Sequence, residues 1–232
     1  MGDSGPNCFI IYGSESPLVQ SFINSIDESS QVIRIYNKQI PKPKQNCVDI
    51  SSIEKIDEAI SNLKPSKTTR IGFIGVASRT QHSLFLTDTL KSVKSTLDVN
   101  VVSYVELIHK LLPYMVRNKY GRLVYLSSFR SEHRGRGSSV YSASKSFCES
   151  FFSSIGKEFG GLDIVTSSIR MGYFEGGMTD SIPKEILDQY LRKVALRRKG
   201  SASELSNAIW FALLNPYTNG GVIDLDGGIA FD

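Results

Sequence analysis

What most constrains the fold of this chain is an alternation, kept from end to end, between short β-rich runs and stretches of helical spacing. Six runs read as strands by length and by branched or aromatic content: "CFIIY" (8–12), "QVIRIY" (31–36), "IGFIGVA" (71–77), "RLVYLS" (122–127), "IVTSSI" (164–169) and "GVIDL" (221–225). Start signals mark the helices between them. Ser16-Pro17 reads as an N-cap followed by proline at the first helical position, and Ser51-x-x-Glu54 and Ser201-x-x-Glu204 read as capping boxes. From Val101 to Met115, helical spacing puts Val101, Val105, Ile108, Leu112 and Met115 along one side. Strand, helix, strand, helix over this length predicts a single three-layer α/β/α domain around a doubly wound parallel sheet. One connection is irregular: "NKQIPKPKQN" (37–46) is proline-broken and lysine-rich, and predicts a loop where a crossover helix would be usual.

Bulk properties narrow the class of function. With 232 residues, 41% of them hydrophobic, the chain can bury one well-formed core spanning residues 1–232. A net charge of +4 is too mild to imply a nucleic-acid partner. Cys8, Cys47 and Cys148 are far apart and lack CxxC spacing, which predicts reduced thiols in a cytoplasmic protein and no disulfide frame. His82, His109 and His133 do not stand at metal-ligand spacing, so no metal is expected. The N-terminus shows no signal-peptide pattern, and no run approaches the roughly 18 apolar residues of a spanning helix. No membrane partner is expected.

Chemistry enters with "VYSASK" (140–145). On a helix, Tyr141 and Lys145 leave the same face one turn apart. A phenol titrates near about 10 and is a poor acid at neutral pH, and a neighbouring cation makes it a better one by stabilising phenolate. Taken alone the pair reads first as a solvated tyrosine beside an unrelated lysine. Its surroundings favour the chemical reading. "GRLVYLSS" is a buried-strand pattern ending in Ser127 and Ser128, thirteen residues before Tyr141, and ligands bind at the carboxyl edge of such sheets. Asn100 lies near the start of the helix feeding that strand, and "DGG" (226–228) follows the last strand.

Asn100, "LLPYMVRNKYGRLVYLSS" (111–128), "YSASKSF" (141–147), "MGYFEGGM" (171–178) and "GVIDLDGG" (221–228), at these spacings, resemble the single-domain short-chain dehydrogenases/reductases over nearly the whole chain. The resemblance implies a Rossmann-like fold and a catalytic tetrad. In it Tyr141 is the general acid/base, Ser128 holds the substrate oxygen, Lys145 assists, and Asn100 anchors a proton-relay water. It also implies a homodimer or homotetramer paired through the helices at about 98–116 and 141–158, whose Val102, Phe151 and Phe152 need not all face the sheet.

The cofactor side departs from the family pattern. For T-G-x-x-x-G-x-G this chain has "YGSESPLV" (12–19): Gly13 is kept, Pro17 and Val19 replace glycines, and Ser16 and Leu18 complete the expected dinucleotide turn. For N-N-A-G it has "GVAS" (75–78), keeping only Ala77, and Met171-Gly172 replaces Pro-Gly with Gly176 at a threonine position. Asp49 matches the family's adenine-contacting aspartate, or else caps a helix. Asn37 stands where an acidic residue would bind the ribose 2′-hydroxyl, and Lys38 follows it, which favours NADP(H) over NAD(H). Tyr141, Lys145 and Gly172 complete the expected cofactor contacts.

The loop "FRSEHRGRGSSV" (129–140) carries Arg130, His133, Arg134 and Arg136 against Glu132. It is either a solvated loop or a cationic rim attracting an anionic or carrier-bound substrate. Tyr173, Phe174 and the helix-like 181–199 fall in a predicted substrate lid over 171–200. Two functions remain open to the sequence. One is an NADP(H)-dependent oxidoreductase interconverting a small-molecule ketone and a secondary alcohol. The other is a non-catalytic binding or scaffold protein of the same fold, for which the altered glycine turn is the motive.

Overall fold

A computed structural model describes residues 5–36, 47–50, 53–62, 66, 68–80 and 83–230. Seven parallel strands form one sheet in the order β3-β2-β1-β4-β5-β6-β7. They are β1 (Cys8–Tyr12), β2 (Gln31–Ile35), β3 (Cys47–Ile50), β4 (Ile71–Gly75), β5 (Gly121–Ser128), β6 (Ile164–Met171) and β7 (Gly221–Leu225). The chain winds outward from β1 in one direction and from β4 in the other, so the switch point lies between those two strands, where sheets of this kind open a crevice. β3 was not among the six strands expected from sequence. "CVDI" is four residues with a charge inside it, too short and mixed to stand out. It is a strand because it continues the ladder, Val32 to Ile35 of β2 pairing with Cys47 to Ile50.

Helices α1 (Gln20–Ser25) and α7 (Ala202–Leu214) cover one face, and α2 (Ile56–Asn62), α4 (Ser103–Asn118) and α5 (Ser139–Phe159) cover the other. Side chains on a strand alternate between faces, and β1 shows the consequence. Cys8, Ile10 and Tyr12 join the cluster with Ile60, Leu107, Phe152 and Tyr104, whereas Phe9 and Ile11 join that with Phe22, Ile209 and Leu213. Burial on both faces explains why the strands read as continuous apolar runs. Among the described residues no helix is long and apolar enough to cross a membrane.

Local signals were realised unevenly. The Ser201 capping box forms with both of its hydrogen bonds. Pro17 opens a 3-10 turn over Pro17–Val19, but Ser16 makes no side-chain cap bond. Ser51, Asn37, Lys38, Lys42 and Lys44 lie outside the described residues, as does the whole predicted loop 37–46. On α4 the buried face is Tyr104, Leu107, Ile108, Leu111 and Met115, while Val105 is exposed and Leu112 only half-buried. The expected stripe was therefore rotated by about one residue. The physical cause is Tyr104, which fills the space above Gly75, where a Cβ would come within 2.4 Å of its ring. Phe152 is core, whereas Val102 and Phe147 are exposed.

Candidate active site

Each candidate catalytic side chain is delivered to the carboxyl edge of the sheet by a different piece of local structure. Asn100 sits in a π-helical turn, Asp98–Val102, between α3 (Leu90–Leu97) and α4. Such turns widen the helix by one residue and recur at functional sites. Here the turn aims a buried carboxamide at the segment after β4. Asn100 Oδ1 accepts from Arg79 N at 2.7 Å, and Nδ2 donates to the Arg79 carbonyl at 2.9 Å and to Ser144 Oγ at 3.0 Å. Its own carbonyl accepts from Cys148 Sγ at 3.0 Å.

Ser128 closes β5, and Tyr141 and Lys145 lie one turn apart on α5. Tyr141 lines the same hollow as Ser128 and Ser78, whose hydroxyls favour its ionised form. Lys145 is buried, with Nζ 2.9 Å from the Leu126 carbonyl, 4.8 Å from the centre of the Tyr125 ring and 5.8 Å from that of Tyr141. Ser128, Tyr141 and Lys145 thus line one hollow, and Asn100 is tied to their helix through Ser144.

Its electrostatics differ from the simple expectation that Lys145 would make Tyr141 more acidic. Burial raises the Tyr141 phenol above the usual tyrosine value, opposed by the hydroxyls of Ser128 and Ser78 and by the charge of Arg130. Lys145 itself is pushed down to about 8 by burial, with Cys148 and Glu149 acting against the shift. Both groups lose hydration on entering the same apolar crevice, and each charged form suffers for it.

The lysine shift fixes a pH signature. A lysine in the unfolded chain titrates near about 10.4. Between pH 8 and that value the unfolded chain binds the extra proton, so this group makes stability rise with pH. Cys8, held up to about 12 by burial, and Cys148, up to about 11, act in the opposite sense above the normal thiol range. Replacing Lys145 by methionine isolates the first effect. The unfolding free energy of the variant minus that of wild type is expected to fall from pH 8 towards pH 10, at up to about 1.4 kcal/mol per pH unit. A difference that stays flat in urea titrations across this range would mean that Lys145 is not depressed.

Two hollows meet at Tyr141. A cleft of about 740 Å³ is lined by Ser128, Arg130, Arg136, Tyr141, Tyr173 and Tyr190 among others. A slot of about 80 Å³ adjoins it, lined by Leu18, Val76, Leu126, Met171 and Phe174 together with Ser78, Ser128, Tyr141 and Lys145. Gly172 lines both. Of the cationic loop, Arg130 and Arg136 reach the cleft, and His133 and Arg134 are not among its lining residues. Arg130 lies 4.9 Å over the Phe129 ring, and its charge favours the ionised form of the Tyr173 phenol. Tyr173 stacks on Tyr190 of α6 (Lys184–Leu191) at 5.6 Å, so one face of the predicted lid is a cleft wall. Phe174 is core instead, bridged to Gly200.

The turn after β1 keeps the shape its one glycine allows. Gly13 has φ +85°, and a Cβ there would come within 2.5 Å of Ala77 N. Tyr12 O receives both Val76 N and Ala77 N, and Tyr104 Oη donates to Ala77 O at 2.7 Å. Tyr104 thereby holds the segment after β4 in place, a role that nothing in its sequence context announced. Leu18 reaches the slot, and Ser16 does not line it. Gly176 and Gly177 come down on this turn: a Cβ on either would be 3.2 Å from Pro17 or Leu18. Asp49 belongs to β3, but its side chain lies outside what is described.

Sequence reasoning also missed the ionic cluster beneath the site. Arg170, near the end of β6, pairs with Glu149 at 3.0 Å, with Asp224 at 3.0 Å and with Glu132. Glu149 Oε1 accepts from Ser127 and Ser131, on either side of Ser128 and Phe129. The signal was present, since Glu149 follows Lys145 by one turn and Tyr141 by two.

Sheet order, the Asn100–Ser128–Tyr141–Lys145 grouping and the crevice beside it match a short-chain dehydrogenase/reductase, and the chain belongs to this oxidoreductase family. Residues 22–230 match the family model described as enoyl-(acyl carrier protein) reductase. A 3-oxoacyl-(acyl-carrier-protein) reductase of Aquifex aeolicus is 27% identical over 87% of this chain and 81% of its own length. A 2-dehydro-3-deoxy-L-rhamnonate dehydrogenase (NAD(+)) of a Sphingomonas species is 27% identical over 59% of this chain and 56% of its own. Among solved structures, a 3-oxoacyl (acyl-carrier-protein) reductase of Agrobacterium tumefaciens with NADP bound superposes with a TM-score of 0.82. That match covers 96% of this chain and 93% of the other at 18% identity, a likeness of fold.

Proposed function

We propose that this protein is an NADP(H)-dependent oxidoreductase interconverting a ketone and a secondary alcohol, with Tyr141 as general acid/base. The observation that carries the reading is the place of Tyr141, which together with Ser128 lines both a narrow slot and a cleft of substrate size. The slot's lining suits a nicotinamide: Leu18, Val76 and Met171 offer apolar surface to a flat ring, and Ser78, Ser128 and Lys145 offer polar groups. A bound reduced nicotinamide supplies the hydride. Ser128 donates a hydrogen bond to the substrate oxygen where negative charge gathers. Tyr141 hands its proton to that same oxygen. Lys145, tied to the Leu126 carbonyl, sets the electrostatic potential behind the phenol. The Gly176–Gly177 segment lies against Pro17 and Leu18, on the turn expected to meet the dinucleotide.

Arg130 and Arg136 at the cleft suit a substrate with a carboxylate, phosphate or acidic carrier attached. The choice of NADP(H) rests on Asn37 and Lys38 in the sequence. The Agrobacterium structure contains NADP, while the Sphingomonas relative is named for NAD(+). Titrating the chain with NADPH and with NADH, followed by nucleotide fluorescence, tests both levels. NADPH is expected to bind in the micromolar range, about tenfold or more tighter than NADH, since one charge-assisted contact is worth about that much. Tighter NADH would reverse the preference. Saturable binding of neither at millimolar concentration would instead favour a non-catalytic scaffold, the reading that the covered turn at Pro17–Leu18 supports.

A further inference from the structure

The loop after β5 contains a glycine that its backbone does not demand. Gly135 is not among the residues with positive φ, so an alanine there meets no left-handed strain. The reason for it is space. A Cβ at 135 would overlap Nη1 of Arg130 and come within 2.8 Å of its Cζ. The guanidinium therefore fills the room that a side chain at 135 would take. Its other support is the Phe129 ring, with Cζ 4.9 Å from the ring centre.

Seated in this way, Arg130 is a half-buried wall of the cleft, whereas Arg136 is exposed. The nearby acids Glu132 and Glu149 are both taken by Arg170, and among the described residues no carboxylate pairs with Arg130. A half-buried cation without a counter-ion gives up hydration and receives little in return. A bound anion would supply what is missing.

The position of Arg130 says whose anion that is. It follows Ser128 by two residues, on the 3-10 turn Phe129–Ser131, and its backbone N–H donates to Ser128 Oγ at 3.2 Å. The hydroxyl assigned to the reacting oxygen and the guanidinium thus belong to one turn. Beyond Phe129 the wall continues through Tyr173, 5.2 Å away, and Tyr190, stacked on Tyr173. Aromatic faces in this arrangement suit a flat apolar body.

We propose that Arg130, seated by Gly135 and Phe129, selects the substrate: a ketone that bears its own carboxylate, with an apolar body laid along Tyr173 and Tyr190. The inference rests on the cleft being the ketone site of the proposed reaction, and narrows its substrates to oxo acids. Gly135 is a positioning residue that acts through Arg130. The acids of a carrier protein would instead meet the exposed Arg134 and Arg136.

The test compares 4-oxo-4-phenylbutanoate with its methyl ester, which share ring and ketone and differ by one charge. Calorimetric titration of each into the chain, without nucleotide, gives the preference for the carboxylate as a ratio of dissociation constants. In wild type the ratio is expected to be about tenfold or more, as for a hydrogen-bonded charge. Arg130→Gln and Gly135→Ala are each expected to bring it near unity, the second because the new Cβ displaces the flexible end of Arg130 and leaves the backbone in place. Arg130→Lys is expected to keep an intermediate ratio, since a point charge lacks the guanidinium fork. Circular dichroism confirms that each variant is folded. Binding of neither compound at millimolar concentration, no preference in wild type, or a preference that survives Arg130→Gln or Gly135→Ala would each overturn the proposal. So would a preference lost in Arg136→Gln and kept in Arg130→Gln, which would move the anion to the rim. NADPH oxidation by the same two ketones is followed separately. A preference in binding without oxidation leaves the anion site standing and removes the oxidoreductase reading; oxidation of both ketones without a preference does the reverse.

Discussion

Tyr141→Phe is expected to lower turnover by about 10²–10⁴-fold, the usual contribution of a positioned general acid. The variant removes one oxygen from a ring that is otherwise packed, since Tyr141 is only 6% exposed and lies in the apolar surroundings of α5. Its fold and its affinity for NADPH should therefore stay close to wild type. What is lost is the proton donor where slot and cleft meet, beside Ser128. A small fall in stability accompanies this, because a polar group is removed from a buried place. Steady-state kinetics with NADPH and a panel of ketones, alongside fluorescence titration of NADPH, separates the two quantities. Wild-type turnover in the variant would remove Tyr141 from the mechanism. Loss of nucleotide binding in parallel with turnover would make it a binding residue instead.

The second large effect concerns stability. Arg170→Met is expected to cost about 3 kcal/mol, within the range seen when one partner of a buried ion pair is deleted. The side chains of Arg170 and Glu149 are 13% and 11% exposed, so neither recovers full hydration when left alone. Glu149 would keep the hydroxyls of Ser127 and Ser131 as hydrogen-bond donors but lose its ion-pair partner. The exposed partners Glu132 and Asp224 add little, as surface pairs do. Neutralising Glu149 in the same chain, as Arg170→Met with Glu149→Gln, should recover part of the loss because the uncompensated charge is gone. Urea denaturation of wild type, the two single variants and the double variant gives the coupling energy. A loss below about 1 kcal/mol in Arg170→Met would show that the cluster is loosely hydrated and not a buried brace. Its location ties the result to the active site. Glu149 joins α5 to the serines flanking Ser128, so a weakened brace loosens the register between Ser128 and Tyr141.

Much of this molecule was readable from its sequence, and the reason differs from feature to feature. Strands β1, β4, β5 and β6 announced themselves because both faces of the sheet are buried, which leaves runs of branched and aromatic residues. β3 did not, because its identity comes from its neighbour β2. The Ser201 capping box was legible because its partners lie within one turn. Ser16 looked like the same signal and makes no such bond, since Pro17 there opens a 3-10 turn and not an α-helix. The pairing of Tyr141 with Lys145 was visible from spacing alone, and Ser128 from its place at the end of an apolar run.

Local order along the chain determined which groups could meet: helical spacing fixes a shared face, and strand ends fix an edge. Tertiary structure alone decided what those groups experience. Desolvation makes the Tyr141 phenol harder to ionise and weakens the Lys145 ammonium. It depends on everything packed around them: Tyr104 over Gly75, Ser78 arriving from β4, and Gly176 closing on Pro17. Those contacts join residues dozens of positions apart. Their strength follows from distance and exclusion of water, quantities that no local pattern of residues encodes.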